Sequence, residues 1–385
     1  MAGRVGIVAV SQTKFEERKS ALHTGELMYD VTRNVMGQTG LEFKDDGTGI
    51  DCTTAAGYDL FSGPAGAYMF LGYIVGAYQR QDERVIEDGS LAVYYGAMQI
   101  LSGHCDTVLL LAYNKESQCL KNEIEWSGLD QIYQRRIGLD FVSAAALQAM
   151  RYTTKYGITP EQCAKVVVKS RKNAANNPFA MCCDNLSVDD VLRSTMLADP
   201  IRVQEAKPVP VDGACAMIMA SEEKAKKLTD KPVWITGLGN CYDHHELGYR
   251  DLANCDSLAT AAQRAYKMAG IKDPMKELDV AEVSEQYSYQ ELMWSEGLGL
   301  CAKGEGGKLI DSGRTEMDGE LPVNPSGGML SGLPVCVAGM QRVVESTLQL
   351  RGEAGARQVP GAKKALAHGV DGPAGQLQCV ITLEN

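Results

Sequence analysis

Two similar α/β halves, each a mostly parallel sheet covered by helices, are what this 385-residue sequence predicts. Three observations carry that prediction. The same order of strand-like and helix-like segments occurs twice. Apolar runs such as Thr107–Ala112 lack the polar alternation of a half-exposed strand, so they suit strands covered on both faces. Two helix-like segments stop at glycines, where a left-handed residue closes the last turn at little steric cost.

The first copy opens with the strand-like Val5–Val10, continues with a helix over Ala21–Thr39 ending at Gly40, and reaches a second strand at Gly49–Ala55. The second copy opens with Val233–Gly237, continues with a helix over Ser257–Ala269 ending at Gly270, and reaches a strand at Leu278–Val283. Each half then has a small-residue turn feeding a helix. In the first the turn is Asp88, Gly89 and Ser90 before Leu91–Ser102; in the second it is Asn324 to Gly328 before Val335–Leu350. A strand follows each helix, Thr107–Ala112 in the first half and Gln378–Leu383 in the second. Turns of this kind aim backbone N–H groups at one place, where developing negative charge is favoured; a helix cap without chemistry is the plainer alternative.

Between Tyr113 and Asp199 a block interrupts the repeat. It has polar stretches around Asn122–Gln134, a helix over Phe141–Tyr156, and another helix from Pro160 with Thr159 as its N-cap. The organisation expected is a first half over residues 1–113, an inserted cap over 114–199, completion of the first half over 200–230, and a second half over 231–385.

Composition narrows the function classes. With 45% apolar and 23% charged residues the chain reads as an ordinary globular protein. A net charge of −11 works against a sequence-independent grip on nucleic acid or on an anionic membrane. No apolar run approaches the roughly 20 residues of a membrane span, and the short apolar start at Val5–Val10 reads as a strand, so a cytoplasmic protein is expected. The twelve cysteines are scattered without CxxC spacing, which predicts reduced thiols with neither disulfides nor a zinc site.

Several segments together resemble the thiolase superfamily, in particular the sterol-carrier-protein-type thiolases and the bacterial thiolases that work with a small zinc-ribbon/OB partner. They are Val5–Thr13, Gln99–Val108, Tyr156–Pro160, Ala198–Arg202, Asp212–Ala214, Asp279–Val283 with Glu291 and Leu292, and Pro322–Gly328. The resemblance implies two α/β halves packed as a five-layered αβαβα core, a dimer, and coenzyme A as substrate with its pantetheine arm entering beneath the inserted block.

The departures from that pattern concern the chemistry. The position of the acyl-accepting cysteine holds Ile86, flanked by Glu87 and Asp88. The family's His- or Asn-containing motif reads Ser284, Glu285, Gln286, Tyr287, its Gly-His-Pro motif reads Gly332, Leu333, Pro334, and its second cysteine corresponds to His368. A branched alkyl group cannot be acylated, so a covalent intermediate at residue 86 is excluded.

The mechanism this implies is direct attack. His368 is expected to deprotonate the thiol of free coenzyme A, and Glu285 or Glu87 to manage the proton on the departing enolate carbon. Backbone N–H groups near Gly328 and Gly369, with the hydroxyls of Ser284 and Tyr287, would hold the oxyanions. Arg135 and Arg136 could meet the nucleotide phosphates, a solvated face being the alternative. Tyr287 has a packing role as its alternative, Glu285 a structural salt bridge, and the adjacent Glu87 and Asp88 simple complementarity to a helix N-terminus. His244 and His245 read as a solvated loop.

The function expected is therefore an acyltransferase cleaving a bulky 3-oxoacyl-CoA, and the resemblance points to 2-benzoylsuccinyl-CoA from anaerobic toluene breakdown, giving benzoyl-CoA and succinyl-CoA. A thiolase-like retro-aldol lyase and a non-catalytic scaffold subunit are the alternatives.

Overall fold

A computed structural model describes residues 3–44, 48–58, 69, 72–80, 82–85 and 88–385. In chain order the elements are β1 (Val5–Gln12), α1 (Thr24–Thr39), β2 (Cys52–Ala56), β3 (Asp82–Val85), α2 (Gly89–Leu101) and β4 (Thr107–Lys115). Between β4 and β7 come α3 (Lys121–Ser127), α4 (Phe141–Tyr156), α5 (Pro160–Ala174), α6 (Val188–Arg193) and a small hairpin of β5 (Met196–Ala198) and β6 (Ile201–Arg202). Then follow β7 (Asp212–Ser221), α7 (Glu222–Leu228), β8 (Val233–Tyr242), α8 (Asp256–Ala269), α9 (Pro274–Glu277), β9 (Val280–Glu282), α10 (Ser288–Gly297), α11 (Gly306–Asp311), α12 (Ala338–Arg351), β10 (Lys364–Asp371) and β11 (Leu377–Glu384).

Among the described residues nine strands run in the order β3-β2-β4-β7-β1-β8-β11-β10-β9. The first five belong to one half and the last four to the other, and the halves meet where Val5–Ile7 pairs antiparallel with Val233–Ile235. Each half repeats one plan. β2 runs parallel to β4 as β9 does to β10, and β4 runs antiparallel to β7 as β10 does to β11. The counterpart of β3 in the second half has shrunk to a single parallel bridge between Val323 and Ala281.

This corrects one sequence expectation. The strand equivalent to Thr107–Ala112 is Lys364–Asp371, while Gln378–Leu383 lies in β11, the counterpart of β7 in the repeat. His368 therefore sits inside β10, and the glycine-rich letters after it form the β10–β11 turn between Asp371 and Leu377.

Side chains of period two fill both faces of the sheets, as covered strands require. Val108, Leu110 and Ala112 of β4 face a central core shared with α2 and α12, whereas Leu109, Leu111 and Tyr113 face an outer core under α1. In the second half Ala365 and Ala367 of β10 face the same central core, and Leu366 and Val370 face an outer one with α8 and α10. The result is five layers, with α2 and α12 sandwiched between two sheet halves.

The helix caps follow the sequence closely. Gly40 and Gly270 both adopt φ near +70°, at +69° and +75°. Thr159 Oγ1 accepts the Gln162 N–H at 3.3 Å and starts α5. The helix read from Ala21 begins instead at Thr24, because His23 Nδ1 accepts the Gly25 N–H while Glu26 accepts the His23 N–H.

Where α2 and α12 meet, the Asp88 carboxylate serves both. Its Oδ1 accepts the Ser90 N–H at 2.9 Å, and its Oδ2 accepts the Gly339 N–H at 2.8 Å near the start of α12. Gly339 and Gly369 leave room for this approach: a Cβ on Gly339 would lie 1.8 Å from Asp88 Oδ1, and one on Gly369 2.0 Å from Ser90 Oγ. Asp88→Ala removes a cap and strands a buried donor, so we expect a loss of about 2–4 kcal/mol, read from urea unfolding.

Candidate functional site

The segment after β9 carries Ser284, Glu285, Gln286 and Tyr287 into α10, and β10 brings His368 beside it. Strand pairing makes this inevitable, since Glu282 stands opposite Ala367 in the parallel β9–β10 ladder. Ser284, Glu285 and His368 are all fully buried.

Asn324, at the second-half turn, organises the acids around it. Its Oδ1 accepts the Val283 N–H at 2.7 Å, and its Nδ2 donates to Glu285 at 3.0 Å and to Glu291 at 3.1 Å. Asn324 holds φ at +54°, a left-handed conformation that asparagine tolerates better than most residues. Glu291 is neutralised by the buried Lys169, 2.5 Å away on α5. Glu285 has no such cation in contact; it accepts the Leu330 N–H at 3.3 Å. Burial, reinforced by the charge of Glu291, pushes its carboxyl up to about 8 against the pull of Arg342. At neutral pH Glu285 is a carboxylic acid.

Gly328 makes this packing possible, because a Cβ there would lie 1.9 Å from Glu285 Oε1. Behind it a third acid, Glu282, accepts from Arg342 at 2.6 Å, Ser326 Oγ at 2.7 Å and Ser326 N–H at 3.1 Å, and so ties α12 to β9.

His368 differs from its expected role. Gln378 donates its amide to the Gly375 carbonyl at 2.8 Å, which turns Gln378 Oε1 toward the ring, so His368 Nε2–H donates to it at 2.6 Å. Nδ1 then accepts the Ser284 N–H at 3.4 Å. Burial drives the ring down to about 4, so it is a neutral imidazole with both nitrogens engaged. In this arrangement His368 is not poised to take a proton from a thiol, and what it does is hold the Ser284 backbone. The Ser284 Oγ, in contrast, is buried without any hydrogen-bond partner.

The other expected residues fall as follows. Tyr287 is buried, stacks on Tyr289 at 6.3 Å between ring centroids, and with Gln286 lines a groove of about 600 Å³. Gly369 lies within β10 opposite Cys379, and its missing side chain admits Asp88 and Ser90. Arg135 is spent on its own turn, donating to the Leu129 carbonyl at 2.7 Å and to the Ser127 carbonyl, with its guanidinium over Trp126; this answers the phosphate reading of Arg135 with a structural one. Arg136 is exposed. Glu87, with Ile86, lies outside the described residues. Leu333 is buried in the core. Among the described residues no two of the cysteines are joined as a disulfide, and no cluster of three or more His, Cys, Asp or Glu side chains is arranged to hold a metal ion.

Sequence reasoning missed Lys169 and Gln378 as parts of this site, and read Asn324 only as the start of a turn. Lys169 carried a signal: it falls on the buried face of α5 with Cys163, Val166 and Ala174, an odd place for a lysine without a buried acid to meet it.

Comparison with known proteins fits the geometry. Residues 239–385 match the family model described as thiolase C-terminal domain-like. Over nearly the whole length, 96% of this chain and 97% of the relative, the sequence is 32% identical to the acetyl-CoA acetyltransferase of Methanothermobacter thermautotrophicus. The chain belongs to the thiolase superfamily. This thiolase-superfamily protein is also 28% identical to the benzoylsuccinyl-CoA thiolase subunit BbsB of Thauera aromatica over 74% of each chain. Its fold matches the solved Ltp2-ChsH2(DUF35) aldolase with a TM-score of 0.84 at 21% identity, covering 98% of this chain and 97% of that one.

Two outcomes test the electrostatics. Lys169→Met leaves Glu291 buried and unpaired and is expected to cost about 3–5 kcal/mol by chemical denaturation, most of it recovered when Glu291→Leu is added. The folded value of Glu285 lies above the ordinary 4.5, so its proton favours the folded state at low pH and that contribution is lost as pH rises toward 8. Glu285→Gln should therefore show a shallower fall of Tm between pH 6.5 and 8 than the parent protein.

Proposed function

We propose that this chain is a thiolase-type enzyme that cleaves a bulky 3-oxoacyl-CoA by direct attack of coenzyme A, with no acyl-enzyme. Membership of the thiolase superfamily supports acyl-CoA chemistry of the acyltransferase class. The observation that carries the finer reading is the pair formed by Ser284, a buried hydroxyl with no partner, and Glu285, an adjacent acid kept protonated by burial.

The step balances with these two groups. The thiolate of coenzyme A adds to the 3-keto carbonyl, the carbon–carbon bond breaks, and the electron pair leaves as the enolate of the second thioester. Ser284 Oγ–H donates to the oxygen that gains charge. Glu285 delivers its proton to the enolate carbon and regains one from the next thiol, whose pKa of roughly 8.5 lies close to its own. His368 enters as a positioning residue that fixes Ser284. An isoleucine at position 86 supplies no nucleophile, which agrees with attack by the coenzyme's own thiol.

The name of the Thauera relative makes 2-benzoylsuccinyl-CoA a reasonable first substrate. A homodimer core and a small zinc-ribbon/OB partner complete the proposal, the latter supported by the two-component name of the aldolase that shares the fold. That neighbour also favours a second reading, retro-aldol cleavage of a 3-hydroxyacyl-CoA. The phenol of Tyr58, which donates to the Asp371 carboxylate, would be its proton carrier.

The deciding assay mixes the purified chain with a 3-oxoacyl-CoA, with and without free coenzyme A and with and without a zinc-ribbon partner. Thiolysis predicts two acyl-CoA products only when coenzyme A is present and no acylated peptide by mass spectrometry. Trapping such a peptide refutes direct attack, ketone or aldehyde release without coenzyme A supports the lyase, and silence throughout leaves a scaffold subunit. Ser284→Ala and Glu285→Gln are each expected to lower kcat by about 10²-fold or more with Tm retained.

A further inference from the structure

A groove lined by Gln286 and Tyr287, the residues that follow Glu285, holds a buried charge whose donors are not all used. Arg171, on α5, lines this groove and is only 5% exposed. Its Nε and Nη1 have no hydrogen-bond acceptor. The nearest carboxylate, Asp184, lies 3.9 Å from Nη1 on a side chain that is 76% exposed, beyond hydrogen-bond distance and screened by water. The other cation lining the groove, Lys207, is already satisfied by Glu116 at 3.1 and 3.2 Å. A buried guanidinium with idle donors is costly, and a folded protein keeps one where an anion arrives to complete it.

The lining of the groove argues for one kind of anion. It includes Gln286 and Tyr287, the two residues that follow the proposed acid Glu285 in the chain, and the exposed Asp184 on its rim. The phosphates of coenzyme A are separated from the thioester by the whole pantetheine arm. A carboxylate on the acyl group is separated by only a few carbons. Guanidinium suits it, because two parallel N–H groups match two carboxylate oxygens.

We propose that Arg171 receives a carboxylate at the far end of the acyl group, making this protein selective for CoA thioesters of dicarboxylic acids. The inference rests on the acyl-CoA reading above, but its test needs no turnover. Binding of coenzyme A and of the matched pairs succinyl-CoA with butanoyl-CoA and adipoyl-CoA with hexanoyl-CoA is measured by calorimetry on the full chain. The expected result is that at least one carboxylated thioester binds roughly 10- to 100-fold more tightly than its neutral partner. Arg171→Met should erase that preference while leaving coenzyme A and the neutral thioesters within about twofold, and Arg171→Lys should retain only part of it. Equal binding within both pairs overturns the inference and leaves the acyl-CoA reading standing. A uniform loss in Arg171→Met that includes free coenzyme A assigns the arginine to the phosphates and overturns it too. Failure of the parent protein to bind any of the five ligands sinks both readings. Thermal melting of each variant separates these results from misfolding.

Discussion

The carboxylate of Asp88 accepts N–H groups from two helices that belong to different halves of the repeat, and the rest of the centre is arranged around that junction. Two helix N-termini brought together would ordinarily repel, since each presents partial positive charge and unpaired donors. One buried acid satisfies both ends. Burial pushes its carboxyl up to about 7, while the hydrogen bonds from Ser90 and Gly339 hold it down. The glycines at 339 and 369 are the steric condition of this arrangement, because any side chain there would occupy the space of Asp88 and Ser90.

From this junction the second half aims its own turn at the same region. Asn324 heads the loop that replaces a full strand, and its side chain gathers Glu285, Glu291 and the Val283 backbone. Two acids with a single lysine in contact cannot both stay ionised at low cost in a buried place. The imbalance leaves Glu285 holding its proton, which is the property that a proton donor near an acyl-CoA carbon needs. The neighbouring imidazole does less than its position in the family pattern suggests, because Gln378 and Ser284 occupy both of its nitrogens.

The groove along α5 relates substrate to chemistry. Lys169 and Arg171 are two residues apart on that helix, yet their side chains serve different ends. One closes a charge pair inside the site, and the other remains unmatched where the cap meets the core. A helix turning 100° per residue separates such neighbours onto different faces, so a short basic stretch divides its charges between structure and recognition.

The sequence by itself determined the repeat, the helix caps at Thr159, Gly40 and Gly270, and the segment that carries Ser284 and Glu285, and its resemblance to the thiolase superfamily implied the five-layered class. These are local properties: periodicity, caps and motif order are written within a few residues of where they act. What only the tertiary structure decided was which residues met. The pairing of Lys169 with Glu291 spans 122 positions, and the bond from Asp88 to Gly339 spans 251. The sequence also matched Gln378–Leu383 to Thr107–Ala112, whereas strand order makes Lys364–Asp371, which holds His368, the neighbour of β9. Whether a buried histidine is a base or a brace, and whether a buried arginine is satisfied or idle, depends on the partners within about 3 Å of its nitrogens, and the order of residues along the chain does not encode that distance.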